Sequence, residues 1–248
     1  MPAEDPVWNL LDVLAILGFA IFSLAIVGGV AVSLAHSLPA FRSVKPIDLT
    51  QNPLVLVPAQ AVAYLLVIAF MVLIVRLRHR AAFLTSISWN WPPPDKILRA
   101  IGGAVGLALS SAIFTLFTSR WVPKSLPIER VFHDTTTVYL FALFGIIFAP
   151  LVEELFFRGF LYPVLTRGIG VVASVILTSA SFAVLHQGQL AHAWVPLTWL
   201  LMVGIVLTLV RVKTRSVALC VIVHLAYNTT LFTMLFIGTQ GFHHLERA

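Results

Sequence analysis

Three short patterns in this chain have the residue types and spacing for chemistry: Glu153-Glu154 followed by Arg158, Phe182 followed by His186, and His224 followed by Asn228. Each falls in or at the end of an apolar stretch. An ionisable side chain at the centre of a membrane helix costs about 2.5 to 3.5 kcal/mol to insert, so each such residue is a functional hypothesis by default. Glu154 and Arg158 are four apart with the acid first, the favourable order for pairing on one helical face. Glu153 is rotated by about 100° from that face, which leaves its carboxylate free to act as a general base. Taken alone, the cluster serves equally well as a structural ion pair that joins helices. Phe182 and His186 share a face, so the ring can pack beneath the imidazole and hold its orientation. His224 and Asn228 set an imidazole beside a carboxamide, and both can donate hydrogen bonds to a developing oxyanion. Singly, each also suits a role holding helices together. In combination they supply a base, a histidine and a donor pair, the parts needed to activate water and stabilise a tetrahedral intermediate. Glu153, His186 and His224 are also three candidate zinc ligands with an open fourth position. With no HExxH pair on one helical turn, spacing leaves both chemistries open.

These residues must be positioned by membrane helices. The chain has 248 residues, of which only 16 are Lys or Arg and 10 are Asp or Glu, while 59% are hydrophobic. So few charges cannot coat a water-soluble globule, and a mean hydropathy of +0.97 fits a surface that faces lipid. The net charge of +6 comes from short basic clusters between apolar runs, which points to membrane lipid with anionic headgroups as the partner rather than nucleic acid. Cys220 is the single cysteine, which excludes an internal disulfide and a cysteine metal cluster.

About seven runs are read as long enough to cross roughly 30 Å of hydrocarbon. They lie near Trp8 to Leu34, Leu54 to Val75, Ile97 to Ser119, Val138 to Leu161, Val171 to His186, Trp194 to Val210 and Val217 to Ile237. Runs of this length lack the short alternating strands of a membrane barrel, so the expected fold is an all-α, polytopic transmembrane helical bundle of about seven spans, or eight, in a single domain over 1–248. The first run is preceded by Glu4 and Asp5 rather than basic residues and reads as a mature helix, not a signal peptide. Pro150 should kink or restart the fourth helix just ahead of the carboxylates. Gly102, Gly103 and Gly106 are expected to pack the third helix closely, and Asp12 is expected to reach the solvated interface. Trp89 to Pro94 reads as an interfacial anchor. Arg76, Arg78, Arg80, Lys96 and Arg99 flank the second connection, and Arg211, Lys213 and Arg215 fill the sixth. The first and third hold Arg42, Lys45, Arg120, Lys124 and Arg130, so the balance favours a cytoplasmic N-terminus.

The ordered patterns EExxxR from Glu153 to Arg158, FxxxH from Phe182 to His186 and HxxxN from His224 to Asn228 resemble the CPBP family, which includes the type II CAAX prenyl endopeptidases and bacteriocin-processing or immunity proteins. The resemblance covers about residues 138–237. It implies an intramembrane endopeptidase acting on a membrane-bound or lipidated peptide. By position, Glu153 would be the catalytic glutamate and with His186 would activate water. His224 and Asn228 would bind the oxyanion, with Glu154 and Arg158 orienting the site. A metal-free, glutamate-dependent enzyme without a cofactor is favoured over one carrying Zn²⁺. The competing class is a non-proteolytic membrane protein: an immunity or resistance factor, a chaperone or a proton-coupled carrier in which the same residues are structural or relay protons. Richness in Ala, Val and Leu with lean loops suggests a bacterial inner membrane.

Overall fold

The computed structural model describes residues 5–122, 135–190 and 192–242, and all regular structure among them is helical. Glu4, Lys124 and Arg130 lie outside the described residues. Each of the seven apolar runs forms a helix: α1 (Leu10–Ser37), α2 (Pro53–Arg78), α3 (Pro94–Trp121), α4 (Thr135–Ile169), α5 (Val171–Leu185), α6 (Trp194–Thr214) and α7 (Val217–Gly238). Two single-turn helices, Pro46–Leu49 and Phe83–Ser86, lie in the connections. Six of the seven are long and apolar enough to span a membrane. The exception is α5, whose 15 residues rise only about 22 Å. It stops short of a full crossing, so His186 at its C-terminal end lies inside the bundle. The chain is a multi-pass integral membrane protein.

Local sequence sets the helix starts. Asn9 caps α1 by accepting from the Leu11 and Asp12 amides, while the Asp12 side chain accepts from the Asn9 amide, forming a reciprocal capping box. Asn52 caps α2 ahead of Pro53, and Ser216 caps α7. The sharp turn from α4 to α5 passes through Gly170 at φ +77°, where a residue with a Cβ would be strained.

The outside of the bundle is apolar, with Leu116, Phe117 and Val172 about three-quarters exposed. This is the surface expected against lipid tails. Two apolar cores lie within. One joins Trp8, Ile16, Met71, Leu155, Phe160 and Val221 across α1, α2, α4 and α7. The other joins Ala104 and Ala108 of α3 to Val203, Leu207, Leu219 and Tyr227 of α6 and α7.

Three expectations need correction. A Cβ at Gly102, Gly103 or Gly106 would meet nothing within 4 Å, so these glycines do not form the contact face of α3. That face is offset by two residues and consists of Ala104 and Ala108. The close approach that does need glycine is at Gly204 on α6, where a Cβ would come within 3.1 Å of Ser179 on α5. Asp12 is fully buried instead of solvated, because His79 and Arg78 at the end of α2 reach it at 3.0 and 3.2 Å. Arg211 is 1% exposed and belongs to the interior, not to the sixth connection.

The Trp89 to Pro94 segment leads into α3 as expected and is also tied to the turn between α6 and α7. Asn90 Nδ2 donates to Arg215 O at 2.8 Å, and Ser216 Oγ donates to Asn90 O.

Candidate active site

The fourth helix is not uniform. Phe144–Phe148 and Leu155–Leu161 are wide π-helical turns bracketing the α-helical segment Ala149–Glu154. Such turns recur at functional sites, and here a proline follows each one. In the first, the Ala149 amide bonds Phe144 O, five residues back. The next carbonyl in that register is Gly145 O, whose partner would be residue 150, a proline with no N–H. Asn228 Nδ2 on α7 fills that place, donating to Gly145 O at 2.7 Å. The second turn repeats the arrangement. The Tyr162 amide bonds Phe157 O, and Pro163 leaves Arg158 O without its backbone donor. Arg211 Nε on α6 donates to it at 3.1 Å. Pro150 thus stands in the first turn of the α-helical segment that begins after the first wide turn.

Glu154 and Arg158 pair as their spacing predicts, at 2.8 Å and with both side chains 0% exposed. Arg158 also donates from Nη2 to Gly204 O at 2.8 Å and from Nε to Thr208 Oγ1 at 3.3 Å, both on α6. The same Glu154 oxygen, Oε1, bonds His224 Nδ1 at 2.8 Å. That oxygen is the acceptor of the Arg158 Nη1 bond and accepts again here, so His224 Nδ1 carries the hydrogen. The Nε2 of a neutral His224 ring then presents a lone pair and faces Glu153 Oε2 at 3.8 Å. On α5, His186 Nδ1 donates to Phe182 O at 2.8 Å, and its Nε2 faces Glu153 Oε1 at 3.9 Å. Phe182 packs against His186 with ring centroids 4.8 Å apart and against His224 at 5.8 Å, and it also lies under the Arg158 guanidinium.

Glu153 thus sits between two imidazoles supplied by different helices, beyond direct hydrogen-bond length from either. Its side chain is 17% exposed, and it opens onto a cavity of about 1110 Å³ that His186, His224 and Asn228 also line. Residues of α1, α2, α3 and α6 also contribute to its wall. Among the described residues, no group of three or more His, Cys, Asp or Glu side chains is arranged to hold a metal ion.

Residues 135–230 match the family model for Rce1-like type II CAAX prenyl endopeptidases. This match is consistent with the CPBP family. It supports an intramembrane protease of that kind. No curated protein and no solved structure matches the chain. The Rce1-like region contains all seven residues singled out by pattern and starts close to the boundary that the motifs suggest, while ending at 230 rather than 237. All seven are gathered at one place, with Glu154 and Arg158 beneath and Glu153, Phe182, His186, His224 and Asn228 at the cavity wall.

Sequence reasoning passed over Gln60 and Tyr64 of α2, which line the same cavity from outside the Rce1-like region. A signal was present: two polar side chains four apart within an otherwise apolar run. Gly204 and Thr208, which hold Arg158, carried no motif at all.

Proposed function

We propose that this protein is a glutamate-type intramembrane endopeptidase that hydrolyses a peptide bond of a membrane-bound or lipidated substrate. The observation that carries the reading is the approach of two imidazole Nε2 atoms, from α5 and α7, to within 3.9 Å of the Glu153 carboxylate at the edge of a large cavity. A water lying beside this group can give one O–H to Glu153 and the other to His186 Nε2, which turns its lone pair towards a bound carbonyl. Glu153 takes a proton as the water oxygen bonds to the carbonyl carbon. The carbonyl oxygen becomes an oxyanion held by Asn228 and, in its protonated form, His224. Collapse restores the carbonyl, breaks the C–N bond and passes the proton from Glu153 to the departing amine. Glu154 and Arg158 orient His224 and never meet the substrate.

The test compares new protein N-termini in membranes of cells carrying the wild-type chain with those carrying Glu153→Ala, His186→Ala or His224→Ala. The expected result is a set of termini present in wild type and absent in all three variants, with normal insertion of each. If the variants insert and the termini persist, the protease reading is wrong and a non-proteolytic role takes its place. Zinc chemistry at Glu153, His186 and His224 would require stoichiometric metal in the purified protein and loss of cleavage on chelation. Full activity in metal-free protein is the expected outcome.

A further inference from the structure

The oxyanion site assigned above has two donors only while His224 carries a second proton. A neutral His224 spends its one N–H on Glu154 and offers only a lone pair at Nε2. Asn228 has two amide hydrogens and gives one to Gly145 O. Without that second proton on His224, the remaining Asn228 N–H is half of what an acyl-transfer oxyanion hole ordinarily provides, where two donors converge.

Across the cavity, α2 brings Tyr64 to the same segment of α4. Its ring lies 5.4 Å from that of Phe144, the residue preceding Gly145, so Tyr64 and Asn228 both reach the Phe144–Phe148 turn, from different helices. Gln60, one turn earlier on α2, donates from Nε2 to the Tyr64 hydroxyl oxygen at 3.3 Å. That bond uses an acceptor site of the phenol and leaves its own hydrogen to be given away. Among the described residues, the Tyr64 O–H donates to no protein acceptor. Both side chains line the cavity together with Glu153. A phenol at the wall of a membrane cavity, oriented by an amide and with its hydrogen uncommitted, is built to give that hydrogen to something that enters.

We propose that Tyr64 is a further catalytic residue, donating its hydroxyl hydrogen to the oxygen of the scissile carbonyl as it becomes an oxyanion, and that Gln60 is the positioning residue that aims it. This rests on the endopeptidase reading. It assigns a part of the site to α2, outside the region matching the Rce1-like family. The ring of Tyr64 can keep its packing on Phe144 without the hydroxyl, so the two roles of the residue are separable.

The experiment uses full-length protein in lipid nanodiscs, in excess over detergent-solubilised host membrane proteins, and follows the single-turnover appearance of new N-termini. Varying the enzyme concentration separates the plateau rate, which reports chemistry, from the half-saturating concentration, which reports binding. Tyr64→Phe is expected to lower the plateau by about 100-fold, the loss typical of one oxyanion donor, with half-saturation within about twofold of wild type. Gln60→Leu, which keeps the phenol but not its support, is expected to lower it roughly three- to tenfold. An unchanged plateau for folded Tyr64→Phe, or an effect confined to half-saturation, overturns the proposal and leaves the protease reading intact. If Tyr64→Phe does not fold, Gln60→Leu decides, and an unchanged plateau there is equally fatal. Wild-type protein yielding no termini beyond those of Glu153→Ala would instead overturn the protease reading, and this proposal with it.

Discussion

Removing either member of the Glu154–Arg158 pair should cost far more than a membrane hydrogen bond is worth. Double-mutant cycles on neutral interhelical hydrogen bonds in a membrane protein average about 0.6 kcal/mol, whereas breaking a buried ion pair costs about 3 to 5 kcal/mol because a charge is left without compensation. Both side chains are 0% exposed and 2.8 Å apart, so no solvent discount applies. Arg158→Met leaves Glu154 Oε1 with His224 alone and does nothing for Glu154 Oε2, which is already buried without a partner. Gly204 O keeps the Thr208 hydroxyl at 2.7 Å, so little further penalty arises there. Glu154→Gln keeps an acceptor for His224 but strands the guanidinium, and should cost a similar ~3 to 5 kcal/mol. The double variant holds neither charge of this pair and should be no less stable than either single one, giving a coupling of about 3 kcal/mol or more. Reversible unfolding in bicelles, measured for all four proteins, checks this. Single-variant losses below about 1 kcal/mol, or additive losses, would show that water reaches the pair and would refute the argument.

Two further expectations concern the helix contacts that hold the site. Pro150 and Asn228 should be energetically coupled: Asn228→Ala in the wild-type background leaves Gly145 O unpaired and should cost about 1 to 3 kcal/mol, but in a Pro150→Ala background the new amide can take that carbonyl and the cost should shrink. An equal cost in both backgrounds in the same unfolding assay would exclude the proposed exchange of donors. Gly204→Ala sets a methyl group 3.1 Å from the Ser179 backbone and should destabilise the protein by about 1 to 3 kcal/mol. It should also lower peptidase activity, because Gly204 O anchors Arg158; unchanged stability would mean that α5 and α6 separate freely.

What could be read from the sequence was the part governed by one-dimensional rules. Run length located six of the seven helices to within about four residues and the fourth except for its last eight, Tyr162 to Ile169, and the cost of charge in lipid singled out Glu153, Glu154, Arg158, His186 and His224 before any contact was known. Where a pairing partner lies far along the chain, the same rules failed. Asp12 reads as interfacial because its position near a helix start is all that a sequence displays, while its partners His79 and Arg78 arrive from another helix. Arg211 counts as a topology determinant until Arg158 O is seen to need it. The α3 glycines show the same limit, since glycine marks a site that permits close approach and the facing helix decides whether approach occurs.

The two prolines of α4 connect the backbone of that helix to its chemistry. A transmembrane helix satisfies its own backbone, and a proline inside it leaves a carbonyl that lipid cannot pair. In α4 each proline follows a π-helical turn, which moves the unpaired carbonyl from the fourth residue back to the fifth: Gly145 for Pro150 and Arg158 for Pro163. Each carbonyl is taken by a side chain from another helix, Asn228 of α7 in one case and Arg211 of α6 in the other. The six residues from Ala149 to Glu154 are thus fastened at both ends, one end to α7 and the other to α6. Within that span Glu154 turns inward to Arg158 and His224, while Glu153 turns to the cavity. Two adjacent carboxylates would repel if both faced the same low-dielectric space. Fixing the rotation of this short segment keeps Glu154 in the ion pair and Glu153 beside the imidazoles, so the prolines help set which glutamate faces Arg158 and which faces the cavity.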